Sequence, residues 1–288
     1  MFDTGSQIEV VDLPSGARIR YHERGEGPPV VFVHGLLVNA LLWRDVSPVV
    51  ADAGFRCIAP DWPLGSHQIP VPPAVDLSPP GMARMIADLL AALDLQDVTL
   101  VANDTGGALV QILMADALAD DRVGRVVLTS SDSFERFFPP IFNYLPRVAR
   151  LPGSTWLLAQ ALRPHVLHRL PLTFGWLSKR PVPRPVLRSY LRPSQTSRGV
   201  RHDLRRFLSG VHRRHTQAAA RHLHRFDKPV LLAWAEEDRL FPLSLAHRLA
   251  EVLPDARLAT VADTYTFSPE DQPEALAHLI VEFLAERP

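Results

Sequence analysis

A chain of 288 residues with 47% hydrophobic content can bury one full α/β core, with or without an inserted subdomain. No apolar stretch approaches the roughly 20 residues of a membrane-spanning helix, the first residues lack the basic start and apolar centre of a signal peptide, and the single cysteine, Cys57, excludes an internal disulfide and a thiolate zinc cluster. The formal net charge is zero, yet between Ser133 and Arg225 seventeen arginines and Lys179 are opposed only by Glu135 and Asp203, a net excess of sixteen positive charges that the rest of the chain balances. A cytoplasmic protein with no metal and no organic cofactor is the expectation. The charge asymmetry marks the middle segment as a separate unit. It can attract an anionic substrate, an acidic carrier protein or a membrane surface, although the preferred account is a solvated arginine-rich subdomain paired with an acidic core. No nucleic-acid-binding motif accompanies it, and the oligomeric state is not legible.

Residues 8–13 and 17–23 alternate like a hairpin around Pro14-Ser15-Gly16. The continuous apolar run 29–33 predicts a strand buried on both faces, ending at His34-Gly35. A helix is expected over 40–51, then a strand over 55–59 in which Cys57 is a buried structural thiol. Residues 70–80, with five prolines, read as a loop, and 81–93 as a helix. Strands follow at 97–102 and 123–129. From Ser133 to about His222 the pattern breaks into short helical pieces rich in Pro, Arg and His. Regular order returns with a strand at 229–233, a helix at 243–253, a strand at 257–261 and a helix at 272–286. This alternation predicts an α/β class fold, a doubly wound and mostly parallel sheet, with an inserted helical cap. The core is expected at 1–132 and 226–288 and the basic cap at 133–225.

The most informative run is Val101-Ala102-Asn103-Asp104-Thr105-Gly106-Gly107, where an apolar strand turns through small residues into a helix around one reactive side chain. It resembles the nucleophile elbow of the α/β-hydrolase superfamily, written G-x-S-x-G, with Ala102 at the first glycine and Asp104 at the serine. An aspartate there is similar to the haloalkane dehalogenase and epoxide hydrolase branches, in which the carboxylate attacks carbon. Three more blocks extend the resemblance over nearly the whole chain. His34-Gly35 with Leu42-Trp43-Arg44 resembles the H-G…L-W-R block of dehalogenases, Asp61-Trp62-Pro63-Leu64-Gly65-Ser66 resembles D-x-x-G-x-G-x-S, and Trp234 to Pro242 resembles W-G-x-x-D-x-x-x-P.

What the resemblance implies is a site without metal or cofactor. Asp104 is its nucleophile or its acid–base group, and Asp238 the acid that orients a histidine. The backbone N–H groups of Leu36 and Thr105 would form the oxyanion hole. His34, Asn39, Trp62 and the cap tyrosines Tyr144 and Tyr190 are candidate substrate contacts. The chain departs from the pattern where the family carries its histidine. Tyr265-Thr266-Phe267-Ser268-Pro269-Glu270-Asp271-Gln272-Pro273 aligns with G-H-F-x-x-E-D-x-P, and Thr266 stands at the histidine. Threonine has no pKa near neutrality and cannot activate water against an alkyl-enzyme ester. His67, His34, His222 and His224 are the candidates for a replacement base. The halide-holding tryptophan and asparagine of dehalogenases are replaced by Thr105 and Leu36. His212 with His215, and His222 with His224, lack the carboxylates a metal would want. The expectation is an enzyme of a small organic molecule with non-hydrolytic chemistry: elimination, dehydration, isomerisation or cyclisation. A hydrolase with a relocated base and a non-catalytic ligand-binding protein stay open.

Overall fold

The computed structural model describes residues 5–286. A hairpin of β1 (Gln7–Asp12) and β2 (Arg18–Arg24) starts the sheet, with Gln7 opposite Glu23. Five strands lie parallel to one another: β3 (Pro29–Val33), β5 (Val98–Asp104), β6 (Val123–Ser131), β7 (Val230–Ala235) and β8 (Ala256–Val261). β4 (Arg56–Pro60) pairs parallel with β3 and antiparallel with β2, which completes the order β1-β2-β4-β3-β5-β6-β7-β8. The doubly wound α/β sheet expected from the alternation is therefore present.

Three helices precede the insertion: α1 (Ser47–Asp52), α2 (Pro79–Ala92) and α3 (Thr105–Ala115). Between β6 and β7 the regular elements are all helical, α4 (Leu145–Val148), α5 (Ser154–Ala161), α6 (Arg184–Thr196), α7 (Arg198–Gly210) and α8 (Arg214–Ala220), joined by turns and irregular segments. α9 (Leu243–Val252), α10 (Ser268–Asp271) and α11 (Pro273–Ala285) finish the chain. One expected helix is divided, and a short helix not expected from the sequence, α10, precedes the last one. Residues 40–51 form a 3₁₀ turn, Ala40–Trp43, and then α1, because Pro48 cannot donate into a continuing helix but suits a first turn. Pro273 likewise separates α10 from α11.

Strand pleating distributes the core. On β3, Val31 and Val33 enter one apolar cluster with Met82 and Leu89 of α2 and Leu109 of α3, whereas Val30 and Phe32 enter another with Val50 of α1 and Ile280 of α11. β5 and β7 are buried along their full length, as strands covered on both faces must be. Cys57 faces the second cluster, and burial pushes its thiol up to about 12, so it is inert. α8 packs directly on α3, with Thr216 and Ala219 fully covered.

Two adjacent acids fasten the inserted helices to the sheet. Glu270 takes both guanidinium nitrogens of Arg44, at 2.7 and 2.8 Å, and accepts the Tyr190 hydroxyl from α6 at 2.7 Å. Asp271 accepts the backbone amides of Lys179 and Arg180, each at 2.8 Å, and of Tyr265 at 3.1 Å. Removing one partner of such a buried set strands the others without water. Asp271→Ala is expected to destabilise the fold by about 3 kcal/mol in urea denaturation. Asp12→Ala, at the exposed pair with Arg18, is expected to change it by less than about 0.5 kcal/mol.

Candidate active site

Asp104 ends β5 with φ 54° and ψ −129°, a conformation L residues rarely adopt, and α3 begins at the next residue. The turn is possible because its neighbours lack side chains. A Cβ on Gly106 would stand 2.3 Å from the Val33 carbonyl oxygen, and one on Gly35 would stand 2.1 Å from Asp104 Oδ2. The loop after β3 therefore lies directly against the elbow. From it the Leu36 amide donates to Asp104 Oδ2 at 3.3 Å, and the Thr105 amide donates to the same carboxylate. The two amides expected to form an oxyanion hole are thus turned on the Asp104 carboxyl itself. Burial pushes that carboxyl up to about 7; the two amides offset part of the shift, and the charge of Asp238 adds to it.

Asp238 sits on the loop after β7 and does two jobs. Its Oδ1 accepts the Leu240 and Phe241 amides, both at 2.8 Å, which closes the turn before α9. The same oxygen accepts the Thr266 hydroxyl at 3.1 Å, which brings the two residues together. Asp238 Oδ2 is buried with no hydrogen-bond partner, and burial pushes the carboxyl up to about 6. The Thr266 carbonyl in turn accepts from Asn103 Nδ2 at 2.8 Å, one residue before the elbow.

A third buried acid, Asp132, follows β6 and was not anticipated from the sequence. Thr105 donates its hydroxyl to Asp132 Oδ2 at 3.2 Å, while Oδ1 has no partner. Burial and the charge of Asp104 push Asp132 well above the usual carboxylate range. The available signal was the polar run Thr129-Ser130-Ser131-Asp132-Ser133, a departure from apolar character where a buried parallel strand reaches the carboxyl edge of the sheet.

A cavity opens over the elbow. Leu36, Leu37, Asp104 and Thr105 form its floor, and residues of the insertion, among them Phe138, Tyr144, Leu158 and Phe174, form its walls. Asp104 is the sole carboxylate in that lining, which contains no Arg, Lys or His. The positive charge of the insertion is therefore outside the cavity, and nothing inside it matches the expectation of an anionic substrate.

Several expected contacts lie elsewhere. His34 is buried below the floor: its Nε2 accepts the Trp62 amide at 2.9 Å, its Nδ1 donates to the Gly35 carbonyl at 2.8 Å, and burial pushes it down to about 4. Both ring nitrogens are engaged, so it is neither base nor substrate contact. Trp62 donates its indole N–H to the Phe32 carbonyl at 3.1 Å. Asn39 caps the 3₁₀ turn through Leu41 and donates to the Ser189 carbonyl at 3.2 Å. Tyr190 is committed to Glu270, which leaves Tyr144 as the tyrosine in the cavity wall. His67 pairs with Asp203 at 3.2 Å, and neither His222 nor His224 lines the cavity. Among the described residues, no three His, Cys, Asp or Glu side chains are grouped to hold a metal ion.

This fold and site have relatives. The alpha/beta hydrolase fold family profile matches residues 28–273, and the chain belongs to that family. The uncharacterised hydrolase YugF of Bacillus subtilis is 27% identical over 271 residues, covering 92% of this chain and 93% of the relative. Haloalkane dehalogenase 2 of Mycobacterium tuberculosis is also 27% identical, over 275 residues, covering 93% and 92%. Among solved structures, the epoxide hydrolase CorEH superposes with a TM-score of 0.80 at 20% identity, over 97% of this chain and 99% of that one, a likeness of fold.

The buried carboxyls set a pH dependence of stability. An acid whose folded pKa lies above its unfolded value favours the folded state while protonated, and that advantage is lost as pH rises toward the folded pKa. For Asp104 the window runs from the ordinary 3.8 of a solvated aspartate to about 7. Asp104→Asn, neutral at every pH, is expected to raise the melting temperature more at pH 8 than at pH 5, with a gain on the order of 2 kcal/mol at pH 8. Melting curves at the two pH values check it.

Proposed function

We propose that the chain is an enzyme of a small, mainly apolar organic molecule. Asp104 acts on that substrate as a general base in a non-hydrolytic reaction: elimination, dehydration, isomerisation or cyclisation. One observation carries this proposal. The sole carboxylate in an apolar cavity is poised near pH 7, and no imidazole stands in the lining beside it. A base with a pKa near the working pH combines a useful ionised fraction with real proton affinity. Asp104 would take a proton from the substrate and, once neutral, return it at another atom or to solvent. The Leu36 and Thr105 amides stabilise the carboxylate between turnovers. The inserted helices serve as a cap whose apolar walls exclude water.

Hydrolysis through an alkyl-enzyme ester, suggested by the names of the dehalogenase and epoxide hydrolase relatives, needs a base to activate water. Thr266 supplies none. The test is a panel of epoxides, alkyl halides and dehydratable alcohols assayed in ¹⁸O-labelled water. Product formation that rises with pH through about 7, disappears in Asp104→Asn and carries no solvent oxygen supports the proposal. Multiple turnovers with solvent ¹⁸O in the product would overturn it. For the geometry around Thr266, intact mass gives a separate measure. An epoxide that is not a substrate is expected to alkylate the Asp104 carboxylate through a ring carbon, the ring oxygen leaving as an alcohol, and this stable adduct is expected to be absent in Asp104→Asn. In Thr266→His, with an imidazole beside Asp238, that adduct is expected to turn over at least about tenfold faster.

A further inference from the structure

Eight of the ten large hydrophobic side chains that are exposed among the described residues fall in one stretch, Tyr144 to Leu172. Leu151 is 60% exposed, Trp156 52%, Leu157 63% and Val166 78%. They stand on short helical pieces, α4, α5 and the 3₁₀ turn His165–Arg169, whose buried positions, such as Leu145, Ala159 and Leu162, hold them onto the protein. Tyr144 and Leu172 belong both to this exposed set and to the cavity wall, so the cavity opens through this face. Soluble proteins rarely leave so much apolar surface together without a use for it.

The charge around that surface has one sign. No Asp or Glu occurs between Glu135 and Asp203, while Arg147, Arg150, Arg163 and Arg169 are all exposed among the apolar residues. Two depressions flank the stretch. One is lined by Arg163, Arg188 and Arg192 with His165 and His168, the other by Arg169 and Arg184 together with Arg180, which is paired with Asp263, and neither lining contains a carboxylate. Protruding Trp, Leu and Val beside acid-free arginine is the composition of a surface that lies in the interface of an anionic bilayer. We propose that this face docks the protein on a membrane containing anionic phospholipid, with the cavity mouth toward the acyl chains and the arginines against the phosphates.

A second copy of the chain fits the same face poorly. Face to face, two copies would oppose like charges at an acid-free surface. Head to tail, the acidic remainder offers only Ile8 and Val10, on β1, as exposed large hydrophobic side chains among the described residues.

The test uses the full chain and sedimented vesicles, either phosphatidylcholine alone or with about 30% phosphatidylglycerol. The expected result is binding to the anionic vesicles only, weakening as salt is raised, with a blue shift of tryptophan fluorescence. Arg163→Ala with Arg169→Ala, and separately Trp156→Ala with Leu157→Ala, are each expected to lower the partition coefficient by on the order of tenfold. Their melting temperatures should stay unchanged, since these side chains are exposed. Absence of binding to anionic vesicles would overturn the proposal, as would undiminished binding by both double variants. Self-association in sedimentation velocity that Trp156→Ala with Leu157→Ala abolishes, without vesicle binding, would assign the face to a second copy. None of these outcomes depends on the reaction proposed for Asp104.

Discussion

At the turn from β5 into α3, backbone meets backbone, and the carboxyl edge of the sheet is arranged around that contact. Gly106 lies against the Val33 carbonyl and Gly35 against the Asp104 carboxylate, at separations no Cβ would permit. Asp104 bears the positive φ that this approach imposes, a conformation costing on the order of 1–3 kcal/mol and held by the buried strand and helix on either side. In return the Leu36 and Thr105 amides reach its carboxylate, and its side chain meets the cavity floor. Burial, a position against the floor and a pKa near 7 are thus consequences of one close approach.

The second constraint concerns where charge can go. Asp104, Asp132 and Asp238 are all buried, and no arginine or lysine stands among the causes that shift them. Their environments separate them. Two amides offset part of the upward shift of Asp104, whereas Asp132, given a single hydroxyl and facing Asp104, is pushed well above the usual carboxylate range. Asp238 has two turn amides and the Thr266 hydroxyl on one oxygen and nothing on the other. The segment that carries Thr266 keeps its architectural role throughout. Glu270 still grips Arg44 and Tyr190, and Asp271 still gathers three amides.

The misplaced substrate contacts share one cause. His34 and Trp62 belong to recognisable motifs and Asn39 and Tyr190 were singled out by residue type and position, and neither signal records whom a residue touches. Each is satisfied by a partner far away in the chain: Trp62 for His34, Phe32 for Trp62, Ser189 for Asn39 and Glu270 for Tyr190. Buried polar groups must find such partners, and once found they are unavailable to a ligand. Asp132 was missed for the converse reason. It lies in no motif, and its importance arises from proximity to Thr105 and Asp104 across two strands.

By itself the sequence determined the order of strands and helices along the chain and the aspartate at the strand-to-helix turn. Strand and helix periodicity and residue identity are local properties. Tertiary structure alone decided which acids are pushed above the usual carboxylate range, which tyrosine reaches the cavity, and that the excess of arginine lies outside it. Those outcomes depend on desolvation and on hydrogen bonds between segments that meet only when the inserted helices close over the sheet.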